Sequence, residues 1–230
     1  MSNRARRAPQ IRAERRHVHE VEVAATRRRY GIIGLVVGLI VAAAVIALVA
    51  TGGGDSDNTN EPEIAFNGTD LPPLAAGAAD PAIGLKAPLF VTDDLVGNRV
   101  VTGGGGGPND TAKVVIFVAH WCPTCQREVP RLAQWLGAND IPEGVEIVTV
   151  STFADPARDN HPPEAWFASV EWPLPVLVDS GSGDIANSFG MGSVPAWVVL
   201  DNQNFVLART VGALTDADFD GLVRLAATGV

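Results

Sequence analysis

Phe117-Val-Ala-His-Trp-Cys-Pro-Thr-Cys-Gln-Arg-Glu-Val-Pro130 is the stretch that decides the fold. Residues 113–119, which lead into it, read as a continuous buried strand of a central sheet. From Cys122 to residue 137 the pattern becomes helical. Two cysteines spaced by two residues therefore sit where a strand turns into a helix. A thiol at a helix N-terminus faces unpaired N–H groups and the positive end of the dipole, and both favour the thiolate. The thiolate is the nucleophile of disulfide exchange. In such a motif Cys122 is expected to be the exposed, attacking thiol. Cys125, one helical turn on, lies deeper and resolves the mixed disulfide. The spacing lets the sulfurs approach to a bond of roughly 2.05 Å.

These are the only two cysteines of the 230-residue chain. A disulfide-stapled domain usually carries more, spread along the sequence. A Cys-x-x-Cys motif is also half of a zinc cage, but no second pair is present to complete one. Neither a metal nor a cofactor is expected, because the two thiols supply the chemistry themselves.

Outward from the motif, the remaining elements alternate. Residues 89–92 and 99–102 read as short strands around a Gly97-Asn98 turn. Residues 145–151 are a second buried strand, 163–170 a short helix, 175–178 an extended segment and 184–189 a helix capped at Ser182 or Gly183. Residues 196–200 and 205–211 form a hairpin, and a helix over 216–227 is capped by Thr215. This order describes an α/β domain over 83–230, with a mixed sheet flanked by helices. Five consecutive glycines, 103–107, lack the Gly-Lys-Ser/Thr ending of a phosphate loop and read as a connector.

The N-terminal part differs sharply in character. Residues 1–30 hold nine arginines and three glutamates, a net of +6, in a chain whose overall charge is −9. Residues 31–50 contain no charged side chain. At ~1.5 Å per residue, a helix of that length crosses the roughly 30 Å hydrocarbon core. Arg27, Arg28 and Arg29 precede it, so the basic tail is expected in the cytoplasm and the rest of the chain outside. A cleaved signal peptide is the competing reading, but the run exceeds a usual h-region of about 7–15 residues. The arginines are thus accounted for by the membrane rather than by nucleic acid, and the tail has no interleaved aromatics. Residues 51–82, rich in Gly, Ala, Pro, Asp and Asn, read as a flexible linker.

With Val194-Pro195 downstream, between a helix and the hairpin, the pattern resembles a known family. The segment 117–130, together with Leu177-Val-Asp-Ser-Gly-Ser-Gly-Asp-Ile-Ala-Asn-Ser-Phe-Gly-Met-Gly-Ser-Val-Pro-Ala-Trp-Val-Val-Leu-Asp201, is similar to thioredoxin-like proteins. More closely, it resembles their membrane-tethered extracytoplasmic branch, which serves cytochrome c maturation and related thiol chemistry. The resemblance covers roughly 83–228. It implies that Pro195 is cis and beside the dithiol, that the Val194 backbone pairs with substrate peptides, and that Pro130, inside the helix, kinks it. It also implies that Glu128 is a buried acid exchanging protons with the cysteines; a solvated glutamate is the alternative. Protein disulfides as substrates and a membrane redox partner for recycling follow from the same resemblance.

Two positions depart from the family. Ile116 stands where thioredoxins carry a buried acid. His120 stands where a small or acidic residue is usual; it is expected either to point to solvent or, as an imidazolium, to favour the Cys122 thiolate. Trp121 is expected to shield the site, and His161 to be a loop residue. Other readings are a Cu(I) carrier using Cys122, Cys125 and His120, peroxide reduction, and an adhesion domain. The sequence leaves the direction of electron flow open, with a reductant favoured through the resemblance over a disulfide-introducing oxidase.

Overall fold

The structure, a computed structural model, describes residues 62–75, 77–102 and 111–229. The basic tail, the apolar run 31–50 and most of the first half of the expected linker lie outside the described residues. Among the described residues, no helix is long and apolar enough to cross a membrane.

The elements run β1 (Ala65–Asn67), β2 (Leu89–Asp93), β3 (Arg99–Thr102), β4 (Ala112–Val118), α1 (Pro123–Ala138), β5 (Val145–Ser151), α2 (Pro163–Ser169), β6 (Val176–Val178), α3 (Asp184–Ser188), β7 (Ala196–Leu200), β8 (Val206–Val211) and α4 (Asp216–Thr228). Strands β1–β2–β3 form a small antiparallel sheet, and the main sheet has the order β6–β5–β4–β7–β8. Within it β4 runs parallel to β5, and β5 to β6, whereas β7 is antiparallel to β4 and to β8. The mixed sheet anticipated from the element order is the one observed.

All seven residues of β4 are buried, as a central strand covered on both faces requires. Its alternate side chains feed two cores. Val114, Ile116 and Val118 join Leu132, Trp166, Trp197 and Phe219 under α1, α2 and α4. Val115 and Phe117 join Phe90, Ile185, Phe189 and Leu71 on the face covered by α3 and the N-terminal arm. Helix α1 opens with Pro123, whose missing N–H would have had no partner there. It continues through Pro130 and buries Cys125, Glu128, Val129 and Leu132, the i, i+3, i+4, i+7 stripe of a core-facing helix. Helix α4 begins at Thr215 with a reciprocal capping box to Asp218.

The boundary expected at residue 83 is corrected by the structure: described residues ahead of it already pack on the domain. The described part of the supposed linker is docked. β1 pairs with β2, the Leu71 and Leu74 N–H groups donate to the Ser188 and Gly190 carbonyls at 2.8 and 3.0 Å, and Leu71 is buried. Asp80 then pairs in bidentate fashion with the buried Arg209. Gly190 makes the close approach possible. It adopts φ +70°, and a Cβ there would lie 2.4 Å from the Pro72 carbonyl oxygen.

Candidate active site

Cys122 occupies the N-cap position of α1 and Cys125 lies in its first turn. Both are free thiols. Cys122 is 7% exposed rather than open: its thiol donates to the Val194 carbonyl, with Sγ···O of 3.5 Å. The Val194–Pro195 peptide bond is cis, and the turn carrying it joins α3 to β7. Cys125 is fully buried. Burial drives its thiol far above the usual cysteine range, the neighbouring Cys122 adds to this, and a backbone bond from the Ala119 side opposes it.

Glu128 is not solvated. It is 6% exposed, ion-paired with Arg131 Nη2 at 2.7 Å, and accepts the Leu214 N–H at 3.3 Å. Both bonds fall on Oε2. Arg131 also pairs with Asp216 at the start of α4. The carboxylate therefore ties α1 to the turn before α4, on the same buried face as Cys125.

His120 fits neither expectation made for it. The ring is 0% exposed, so it does not point to solvent. Nδ1 lies 2.7 Å from the Asp159 carbonyl oxygen, and Nε2 lies 3.2 Å from the Asp155 backbone nitrogen. A carbonyl can only accept and a backbone N–H can only donate, so the ring is neutral and carries its proton on Nδ1. It is not an imidazolium stabilising the Cys122 thiolate. Nor can it serve as a third soft-metal ligand while both nitrogens are held this way. Trp121 is half-buried beside the dithiol; its Nε1–H donates to the Phe153 carbonyl at 2.7 Å, and the Arg158 guanidinium lies 4.4 Å from its ring centre.

Loop 153–162 is the part of the site that sequence reasoning missed. It supplies Phe153, Asp155, Arg158, Asp159 and Asn160 to the two residues just ahead of Cys122. The one local signal within it was His161, ahead of Pro162, read only as a loop residue; its ring centre lies 5.5 Å from that of His120.

A dithiol at a helix N-terminus, one sulfur against the cis-proline turn and the other sealed in the core, on a sheet of order β6–β5–β4–β7–β8, defines the class: a thioredoxin-like thiol–disulfide oxidoreductase. Residues 83–209, more than half of the chain, match the AhpC/TSA family, and the chain belongs to that family. It is similar to the thiol-disulfide oxidoreductase ResA of Geobacillus thermodenitrificans, 27% identical over 139 residues that cover 60% of this chain and 74% of that protein. It is also similar to nucleoredoxin of Bos taurus, 29% identical over 111 residues, which cover 46% of this chain but 25% of that longer protein. Among solved structures, a thiol:disulfide interchange protein of the thioredoxin family from Chlorobium tepidum TLS superposes with a TM-score of 0.50 at 23% identity, over 64% of this chain and 99% of that one. This last likeness is one of fold.

Proposed function

We propose that the chain is a membrane-anchored oxidoreductase whose dithiol, held outside the cytoplasm, reduces disulfides in protein substrates. The Cys122 thiolate attacks one sulfur of a substrate disulfide, and the other substrate sulfur leaves as a thiolate. Cys125 then gives up its proton and attacks Cys122 Sγ. This releases the second substrate sulfur and leaves a Cys122–Cys125 disulfide, so two electrons pass from enzyme to substrate. Glu128 Oε1, the oxygen not engaged by Arg131 and Leu214, is the acceptor we assign to the Cys125 proton. Ionisation of Cys122 breaks its bond to the Val194 carbonyl and frees that oxygen for a substrate N–H beside Pro195. The resulting disulfide is returned to the dithiol by a redox partner in the membrane. The anchor is the apolar run 31–50 behind its three arginines.

The observation that carries the direction is the bonding of His120. Oxidising members of such chemistry are oxidants because the reduced, thiolate form is stabilised. Here the residue two before Cys122 is neutral by virtue of its partners, and Cys125 is buried in a way that disfavours its thiolate. Neither feature adds stability to the reduced, thiolate form, and a reductant is favoured by that lack. The test is the reduction potential of the full chain, equilibrated in thiol buffers and read by alkylation. A value below about −230 mV supports the reductant, and one above about −180 mV overturns it in favour of an oxidase.

A further inference from the structure

The turn ahead of Cys122 is fastened to loop 153–162 by an unusual concentration of bonds. His120 uses both ring nitrogens on it, and its carbonyl accepts from the Asn160 side chain at 3.3 Å. Trp121 repeats the pattern through the Phe153 carbonyl, with Arg158 laid on its ring. The loop is bent to meet these partners: Phe153 and Asn160 hold φ of +51° and +63°, which side-chain-bearing residues seldom adopt. Phe153 is seated in turn against Gly183, where a Cβ would lie 2.0 Å from its ring.

We propose that His120 is a positioning residue of the dithiol site: its neutral ring latches loop 153–162 beside Trp121 and Cys122 as one wall of the substrate-receiving face, and protonation of the ring opens the latch. The proposal rests on the exchange reaction assigned above. The Val194–Pro195 turn, bonded to Cys122 through the Val194 carbonyl, is the other segment that meets this end of α1.

The chemistry of the latch follows from its two partners. Nε2 is an acceptor in a fully buried position. A proton added there would face the Asp155 N–H, replacing a hydrogen bond with two opposed donors and burying a charge. Ring and loop cannot both keep their places, so uptake of the proton requires one to move. The groups facing His120 do little to hold a cation in place. The His161 ring is beside it, and Arg158 is on Trp121. The Asp155 carboxylate is turned to the Ala157 N–H of its own loop at 2.9 Å, Asp159 presents its carbonyl, and Cys122 and Cys125 follow on the same turn.

The discriminating variant is His120→Gln. A glutamine amide can donate to Asp159 and accept from Asp155, but it does not titrate. Backbone hydrogen–deuterium exchange of the full chain, read by mass spectrometry over 153–162 at about pH 7.5 and about pH 5.5, reports the latch directly. Turnover of an oxidised peptide substrate at the same two values reports its consequence. At the higher pH, wild type and His120→Gln should protect the loop equally. At the lower pH, and after correction for intrinsic rates, the wild-type loop should exchange several-fold faster. The wild-type KM should rise several-fold there relative to that of His120→Gln, while the fall in kcat that loss of the thiolate brings is shared by both proteins. Since His161 is present in both proteins, its own titration cannot produce that difference. Equal loop exchange and equal KM in the two proteins at both pH values would overturn the proposal. If glutamine itself loosens the loop at pH 7.5, the wild type decides, and a loop equally protected at both values overturns it. The exchange measurement does not depend on turnover. A pH-released loop in a protein with no disulfide-exchange activity would refute the function above and leave the latch standing.

Discussion

Replacing Asp80 by alanine tests whether the N-terminal arm belongs to the folded unit. Arg209, on β8, has a side chain with 0% exposure. Its Nε and Nη2 donate to the two Asp80 oxygens at 2.9 and 2.5 Å, and Nη1 donates to the Phe189 carbonyl at 2.7 Å. Asp80→Ala removes two of these three partners and leaves a guanidinium buried against a single carbonyl. Removing one member of a buried pair costs about 3–5 kcal/mol. At about 2–4 °C per kcal/mol for a domain of this size, the melting temperature should fall by on the order of 10 °C. Urea and thermal unfolding of the full chain, followed by circular dichroism, measure both quantities. The double variant Asp80→Leu with Arg209→Met should recover most of the loss, because an apolar pair of similar volume carries no charge to desolvate. The pH dependence gives an independent check. The bond from Arg209 holds the Asp80 carboxyl below the usual carboxylate range, against the opposing effect of burial. A folded-state pKa depressed in this way contributes stability that is present at neutral pH. That contribution is lost as pH falls from about 4 through the folded value. Asp80→Ala should abolish that acid limb. A cost under about 1 kcal/mol, or a double variant no more stable than the single, would show the arm to be a loose tether, and the reasoning would fail.

Two further predictions concern the site and its support. Cys125→Ser should accumulate a mixed disulfide between Cys122 and substrate, visible on non-reducing gels, while Cys122→Ser should form none; the reverse pattern would exchange the two roles. Asp179 accepts from Thr152 Oγ1 and from the Ser180, Ile185 and Ala186 N–H groups, yet burial pushes its carboxyl up. Asp179→Asn turns an amide donor toward those donors and should cost about 1–3 kcal/mol in a urea melt. Because the folded pKa is raised, the native state binds the proton more tightly than the unfolded chain does. Stability from this group is therefore greatest below the ordinary carboxylate range and declines as pH rises through the folded value, a decline the Asn variant should lack.

What could be read along the chain was whatever is encoded by near neighbours. The buried run of β4, the two cysteines at its junction with α1 and the Thr215–Asp218 capping box each involve residues a few positions apart. The Glu128–Arg131 pair is also local, at i, i+3, and was within reach of helical spacing alone. What escaped was set by partners far off. Residues 62–80 have the composition of a linker, and nothing in that composition announces that Leu71 and Leu74 will bond to the last residue of α3 and to the turn after it. Asp80 finds its arginine 129 positions later.

His120 is the sharper case. Its type alone left a solvated ring and a catalytic cation open, and it is neither, because two backbone groups 35 and 39 residues downstream occupy its nitrogens. The consequence reaches the chemistry. With no cation at His120 and with Cys125 sealed from solvent, stabilisation of the Cys122 thiolate is left to the N–H groups and dipole of α1. The reductant role proposed above rests on that balance: the helix terminus alone, with no added cation, holds the Cys122 thiolate.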